Sequence, residues 1–191
     1  MQKITDKNKA MEMVREDGFN LKYLSADLRN NEEIVKIALS KNGYALEYAS
    51  PELQDNFEIV KIAVSNRGSA LYYANPRLRN TKEIVIIAVS KNGWALEYAS
   101  PRLRNTKEIV IIALSKNGFA LEFASPELQN NFEIVKIAVE EDGYALEYAS
   151  PRALQFASPR LQDNYEIVKI AIEQDSDALK FASPRLQKLL K

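Results

Sequence analysis

The chain contains no cysteine and no histidine in its 191 residues. Without cysteine there is no disulfide framework and no thiolate nucleophile. Without histidine there is no Ser-His-Asp or Cys-His arrangement and no His-bearing zinc site. Glycine is limited to 6 residues, no two of them closer than 25 positions, which excludes a Walker-type phosphate loop and a Gly-x-Gly-x-x-Gly turn. No apolar run approaches membrane-spanning length, and the opening residues 1–7 do not read as a secretory signal. Neither sign of charge is in excess, with 26 basic residues against 26 acidic ones. A dedicated nucleic-acid or membrane-surface binder would carry a basic surplus. Acidic neighbours such as Glu140, Glu141 and Asp142 read as a solvated helix end rather than an acid–base dyad. The chain is therefore not expected to be an enzyme, no metal or cofactor is expected, and the default compartment is the cytoplasm.

What is present is a rhythm. Gly18, Gly43, Gly68, Gly93, Gly118 and Gly143 each lie 25 residues after the last. A fixed period in this range signals a solenoid. Taking 43–67 as the unit, Gly43 is expected to end the preceding helix in the left-handed region. A short helix over 44–49 follows, and Ser50-Pro51 stops it. Residues 51–54 then make a single turn or 3₁₀ segment, with serine as cap and proline in the first turn. The main helix runs over 56–66 with apolar residues at helical spacing. Its start carries Asn or Asp with Glu three places on: Asn30/Glu33, Asp55/Glu58, Asn80/Glu83, Asn105/Glu108, Asn130/Glu133 and Asp163/Glu166. That spacing predicts a capping box. Helices this short are marginal alone, so Leu46, Tyr48, Leu53, Ile59, Val60, Ile62 and Val64 are expected to form one layer of a continuous core.

The fold class that follows is all-α, a right-handed α-solenoid forming a single repeat domain over 1–191. Residues 1–17 form an N-terminal capping helix, 18–142 five regular repeats, 143–175 an irregular repeat and 176–191 a partial one. The irregular repeat contains an eight-residue duplication, 153–160 copying 145–152. A bend, bulge or change of stacking is expected there, with silent absorption as the alternative.

The alternation of Ala-Leu-x-(Tyr/Phe)-Ala-Ser-Pro-x-Leu with Glu-Ile-Val-x-Ile-Ala-Val, punctuated by Asn-Gly or Asp-Gly, resembles the tandem repeats of the domain of unknown function 4116. The resemblance extends over residues 17–187. It implies an all-helical array and no particular activity. Ser25-Ala26 departs from the Ser-Pro pattern and Asn75-Pro76 varies it. The unit is also similar in length and alternation to leucine-rich variant repeats, which pair an α-helix with a short 3₁₀ helix.

Function is expected at positions that vary on the constant frame. After each glycine stands Phe19, Tyr44, Ser69, Trp94, Phe119 or Tyr144, with Asp177 after Ser176. These are candidates for partner contact, in which aromatic residues often dominate affinity, or for packing between repeats. After each proline the charge alternates, and Arg77, Arg79, Arg102 and Arg104 suggest a basic cluster for an acidic partner or phosphates. The alternative is a solvated ridge neutralised by Glu52 and Glu127. On the main helices, Phe57/Lys61, Phe132/Lys136 and Tyr165/Lys169 contrast with Lys82/Ile86 and Lys107/Ile111, so Ile86 and Ile111 are candidates for an apolar patch. The alternative is that each lysine stem covers its apolar neighbour. The function expected is non-catalytic binding of another protein. Nucleic-acid or phosphate-ligand binding along an arginine ridge and a purely structural spacer are the competing classes. The chain is expected to be a monomer or weak homodimer without membrane attachment.

Overall fold

The computed structural model describes residues 3–140 and 151–190. These are helical apart from turns and one isolated parallel bridge between Ile4 and Leu24. Two compact units, Met1–Ser100 and Pro101–Lys191, are each described by themselves. Both are built as all-α solenoid segments from the repeat the glycines mark out.

One repeat consists of a 3₁₀ helix Gly43–Tyr48, a single α-turn Pro51–Gln54 and a ten-residue α-helix Phe57–Asn66. The 3₁₀ segment is thus the glycine-led one, and the Ser-Pro turn is α-helical. Three residues per turn put Gly43, Leu46 and Ala49 on one stripe, and all three are buried. The same period puts Tyr44 and Glu47 on another stripe. Ser50 Oγ accepts from Leu53 N at 3.2 Å, and Pro51 sits in the first turn, where its missing N–H costs nothing. Ser25 caps Ala26–Arg29 in the same way, so the turn forms there without proline.

The left-handed glycine expected at each helix end is not observed: among the described residues no glycine has positive φ. The helix ends instead on an extended residue such as Asn42, whose N–H donates to Ala38 O. Glycine is needed for a different reason. A Cβ on Gly18, Gly43 or Gly68 would lie 2.3 Å from the carbonyl oxygen of Ala38, Ala63 or Ala88, on the main helix of the next repeat. The backbone of one repeat rests directly on its neighbour, which only glycine permits.

The helix cap lies one residue later than the capping box requires, which puts isoleucine rather than glutamate at the third helical position. The caps are Asn31, Asn56, Asn131 and Asn164, whose Oδ1 atoms accept from Ile34, Ile59, Ile134 and Ile167 N at 3.1–3.2 Å. Asn30, Asp55, Asn130 and Asp163 belong to the preceding turn. Several of them bind the next repeat: Ser50 Oγ donates to Asn30, Ser100 Oγ to Asn80, Ser125 Oγ to Asn105 and Ser158 Oγ to Asn130. Beside each pair a backbone bond joins the same repeats, as in Ser50 N to Arg29 O at 3.0 Å and Ser125 N to Arg104 O at 3.1 Å. In the first unit Ile4 takes the leading place in this ladder, its carbonyl accepting from Ser25 N at 2.8 Å.

The core is a layer per repeat. Leu46, Ile59, Val60, Ala63 and Val64 are completely buried, and Leu53 nearly so, whereas Tyr48 and Ile62 are only half-buried. Each fully buried aliphatic side chain contributes about 1.5–3 kcal/mol. The helix Lys7–Glu16 supplies Ala10 and Val14 to the first layer.

The duplication is resolved in favour of its second copy. Pro151–Phe156 forms the 3₁₀ helix, and Ser158 N donates to Gln129 O at 3.0 Å, as its counterparts do in the regular repeats. Gln162 Nε2 donates to Leu154 O, as Gln129 Nε2 does to Leu121 O. Residues 154–162 thus make the contacts of a regular repeat, and the expected bend, bulge or change of stacking falls partly on 141–150, outside the described residues. Gly143 and most of the first copy lie outside the described residues.

Candidate partner-binding surface

Two ridges carry most of the variation between repeats. One is formed by the Ser-Pro turns, the other by the glycine-led 3₁₀ helices.

On the turn ridge, four of the charged positions pair with the residue 22 positions earlier, whereas Arg102 follows Asn80 and departs from that pattern. Asn30 Nδ2 donates to Glu52 at 3.2 Å and Asn105 Nδ2 to Glu127 at 3.1 Å. Where that position is Asp, an arginine replaces the glutamate. Arg77 donates to the side chain of Asp55 at 3.0 Å and to its carbonyl at 2.9 Å, and Arg185 makes the same pair of contacts with Asp163. Ser183 Oγ also donates to Asp163. Together the serine hydroxyl and the arginine hold the Asp163 carboxyl below the usual carboxylate range. At these four positions the charged side chain is a clasp between successive repeats. Arg102 is exposed on the second unit.

Arg79 and Arg104 are half-buried, two places further on. In the other repeats this position is often glutamine, and Gln54 Nε2 donates to Leu46 O and Glu47 O at 3.0 and 3.2 Å. Arg29 and Arg104 each have a buried Nε with no hydrogen-bond partner. Arg77 and Arg79 belong to the first unit, Arg102 and Arg104 to the second.

The main-helix positions divide in the same way. Ile86, in the first unit, is half-buried, and Ile111, in the second, is 39% exposed. Lys61 Nζ lies 5.6 Å from the centroid of the Phe57 ring and 3.0 Å from Glu83 of the next repeat. That geometry covers the apolar ring with its own lysine stem.

The 3₁₀ ridge behaves differently. Tyr44 packs edge-on against Tyr73 at 6.5 Å, and Phe19 and Phe119 meet Tyr48 and Phe156 at 6.2 Å, so this position joins successive repeats. Where Ser69 replaces the ring, its hydroxyl accepts from Asn92 Nδ2 at 2.9 Å. Trp94 is 40% exposed. Tyr144 lies outside the described residues. The residue that sequence reasoning missed is Tyr72, 58% exposed and three places after Ser69 on the same stripe. It meets Tyr73 at 5.0 Å and Tyr98 at 5.2 Å, both edge-on. The signal was available: Tyr72 stands in the position held by Lys22, Glu47, Glu97, Glu122 and Lys180 elsewhere. Burial, and then the Glu47 carboxylate, push the Tyr48 and Tyr73 phenols up; burial followed by Glu97 does the same to Tyr98. The first unit therefore has an exposed aromatic surface edged by two carboxylates.

Among the described residues no group of three or more histidine, cysteine, aspartate or glutamate side chains is placed to hold a metal ion, and no helix is long and apolar enough to cross a membrane.

A family model described as Domain of unknown function (DUF4116) matches residues 6–54, 56–104, 106–152 and 150–187. The first three matched segments each span close to two repeats. No curated protein and no solved structure matches the chain. The expected likeness to leucine-rich variant repeats finds no support among these matches.

Proposed function

The chain belongs to the family described as Domain of unknown function (DUF4116), and from that premise we propose that it is a non-catalytic scaffold that binds another protein through the 3₁₀ ridge of its first unit. The observation that carries this reading is the exposure of Tyr72 and Trp94, at 58% and 40%, on a frame whose inward residues hardly change. Aromatic side chains of this kind supply much of the affinity of protein interfaces, because they bring large contact area at little conformational cost. The arginine ridge supports nucleic-acid or phosphate binding less well, since Arg77 is already engaged by Asp55. A spacer would have no use for the differences between repeats 68–92 and 93–117, which include Ser69 against Trp94 and Tyr72 against Glu97.

The test is recovery of partners from a lysate of the source cells on wild-type protein and on a Tyr72→Ser, Trp94→Ala double variant. The variant is expected to keep the wild-type helical circular dichroism and lose the partner. Equal recovery by both would overturn the reading.

A further inference from the structure

Resting on that protein-binding reading, we propose that the partner offers a lysine- or arginine-bearing segment, and that its cation sits over the ring faces of Tyr72, Tyr73 and Tyr98 between Glu47 and Glu97.

The chain supplies its own example. In the first and last 3₁₀ helices the fifth residue is a lysine that lies over the ring of the sixth. Lys22 Nζ is 4.8 Å from the Tyr23 centroid, and Lys180 Nζ is 5.1 Å from that of Phe181. A cation within about 6 Å of a ring centroid is attracted by the negative face of the ring. In Gly43–Tyr48, Gly68–Tyr73 and Gly93–Tyr98 the lysine position is taken by Glu47, Tyr72 and Glu97, and no lysine or arginine occurs within these three helices. Each keeps the ring that follows and replaces the cation with a carboxylate or a second ring.

The ring geometry fits such a ligand. Tyr72 meets its two neighbours at interplanar angles of 80° and 66°. Each edge-to-face contact sets the positive edge of one ring on the negative face of the other, and the cluster presents the 58% exposed Tyr72 ring to solvent. Glu47 and Glu97 are exposed beside those rings. An acidic segment would meet repulsion from both carboxylates. A wholly apolar one would desolvate them without compensation. A cationic side chain satisfies rings and carboxylates together.

The experiment uses the full chain and its single tryptophan, Trp94, as reporter. A short peptide bearing lysine and arginine is titrated against the protein, and so is its counterpart with glutamine at those positions. Emission of Trp94 and polarisation of a labelled peptide are both followed. The basic peptide is expected to bind saturably and at least about tenfold more tightly than the glutamine peptide. Tyr72→Ser and Glu97→Gln are each expected to weaken the basic peptide by about three- to tenfold, with unchanged circular dichroism. Equal affinity for the two peptides, both weakened by Tyr72→Ser, would overturn the cationic partner and leave the protein-binding surface standing. Basic-peptide binding indifferent to Tyr72→Ser, or no response in either signal, would also overturn the proposal. So would light scattering that finds a dimer abolished by Tyr72→Ser, which would assign the surface to a second copy of the chain.

Discussion

Residue 52 and residue 47 are both glutamates on an outer ridge of one repeat, and both positions change character from repeat to repeat. Glu52 is held by Asn30, and where Arg77 follows in its place, Asp55 takes over from Asn30. Position 47 varies differently: it is Lys22, Glu47, Tyr72 and Glu97 in succession along the first unit, and Tyr72 meets Tyr98 where Ser69 leaves out the ring that elsewhere joins successive repeats. Variation on the turn ridge is thus paired where Asp55/Arg77 and Asp163/Arg185 replace Asn/Glu, whereas variation at position 47 also changes what solvent meets. A variable column marks a binding surface only if no second column in the neighbouring repeat varies with it.

The largest effect that sharpens this contrast concerns the inward side of the same 3₁₀ helix. Gly43→Ala puts a methyl 2.3 Å from the Ala63 carbonyl oxygen, a backbone atom held by its own helix. Overpacking against a group that cannot move away is expected to cost about 3 kcal/mol. Urea unfolding followed by circular dichroism measures it. If the cost is under about 1 kcal/mol, the repeats are not in direct backbone contact and the constant side of the ridge is misassigned. On the outer side of that ridge, Tyr72→Ser removes two edge-on ring contacts and is expected to cost about 1 kcal/mol, well below Gly43→Ala.

A smaller effect is expected on the turn ridge. Arg77→Ala and Asp55→Ala remove the two ends of one clasp, whose side chains are 65% and 38% exposed. Exposed ion pairs are screened, and a double-mutant cycle is expected to give a coupling of roughly 0.5 kcal/mol. Neither variant is expected to alter partner recovery. Loss of the partner with Arg77→Ala and intact folding would break the comparison, since the turn ridge would then share in binding.

The repeat length, the three helical segments and the core face were legible from Gly18 to Gly118, because 25-residue spacing and apolar periodicity act locally along the chain. What was misread depends on contacts between repeats. Gly43 looked like a left-handed helix end because the close approach of Ala63, 20 residues on, leaves no mark at Gly43 itself. Asn30 and Glu33 fit a capping box by spacing, but Asn31 is the cap, and Asn30 is drawn to Ser50 of the next repeat. The same blindness applied to the candidate surface. The pairing of Arg77 with Asp55, 22 residues away, leaves no mark at Arg77, and Tyr72 stands three places beyond the column that follows glycine. The 3₁₀ period, which puts positions 69 and 72 on one stripe, was the missing link.

The smallest expected effect tests whether the clasp formed by Asp163 is electrostatic. Its carboxyl titrates below the usual range, because Ser183 and Arg185 donate to the ionised form. A group with a lowered folded pKa adds stability above its unfolded pKa, about 3.9 for aspartate, and that stability disappears as pH falls through the folded value. Asp163→Asn removes the titration while retaining an acceptor for Ser183. The wild type is therefore expected to be slightly more stable than the variant at neutral pH, by an amount that is constant down to about pH 5 and shrinks below it. Urea midpoints of the two proteins measured in parallel against pH isolate this one group, since all other carboxylates are common to both. A difference that stays constant into the acid range would mean that Asp163 acts through shape and neutral hydrogen bonding. The Asp55/Arg77 and Asp163/Arg185 pairs would then reflect packing of the turn rather than charge pairing between repeats.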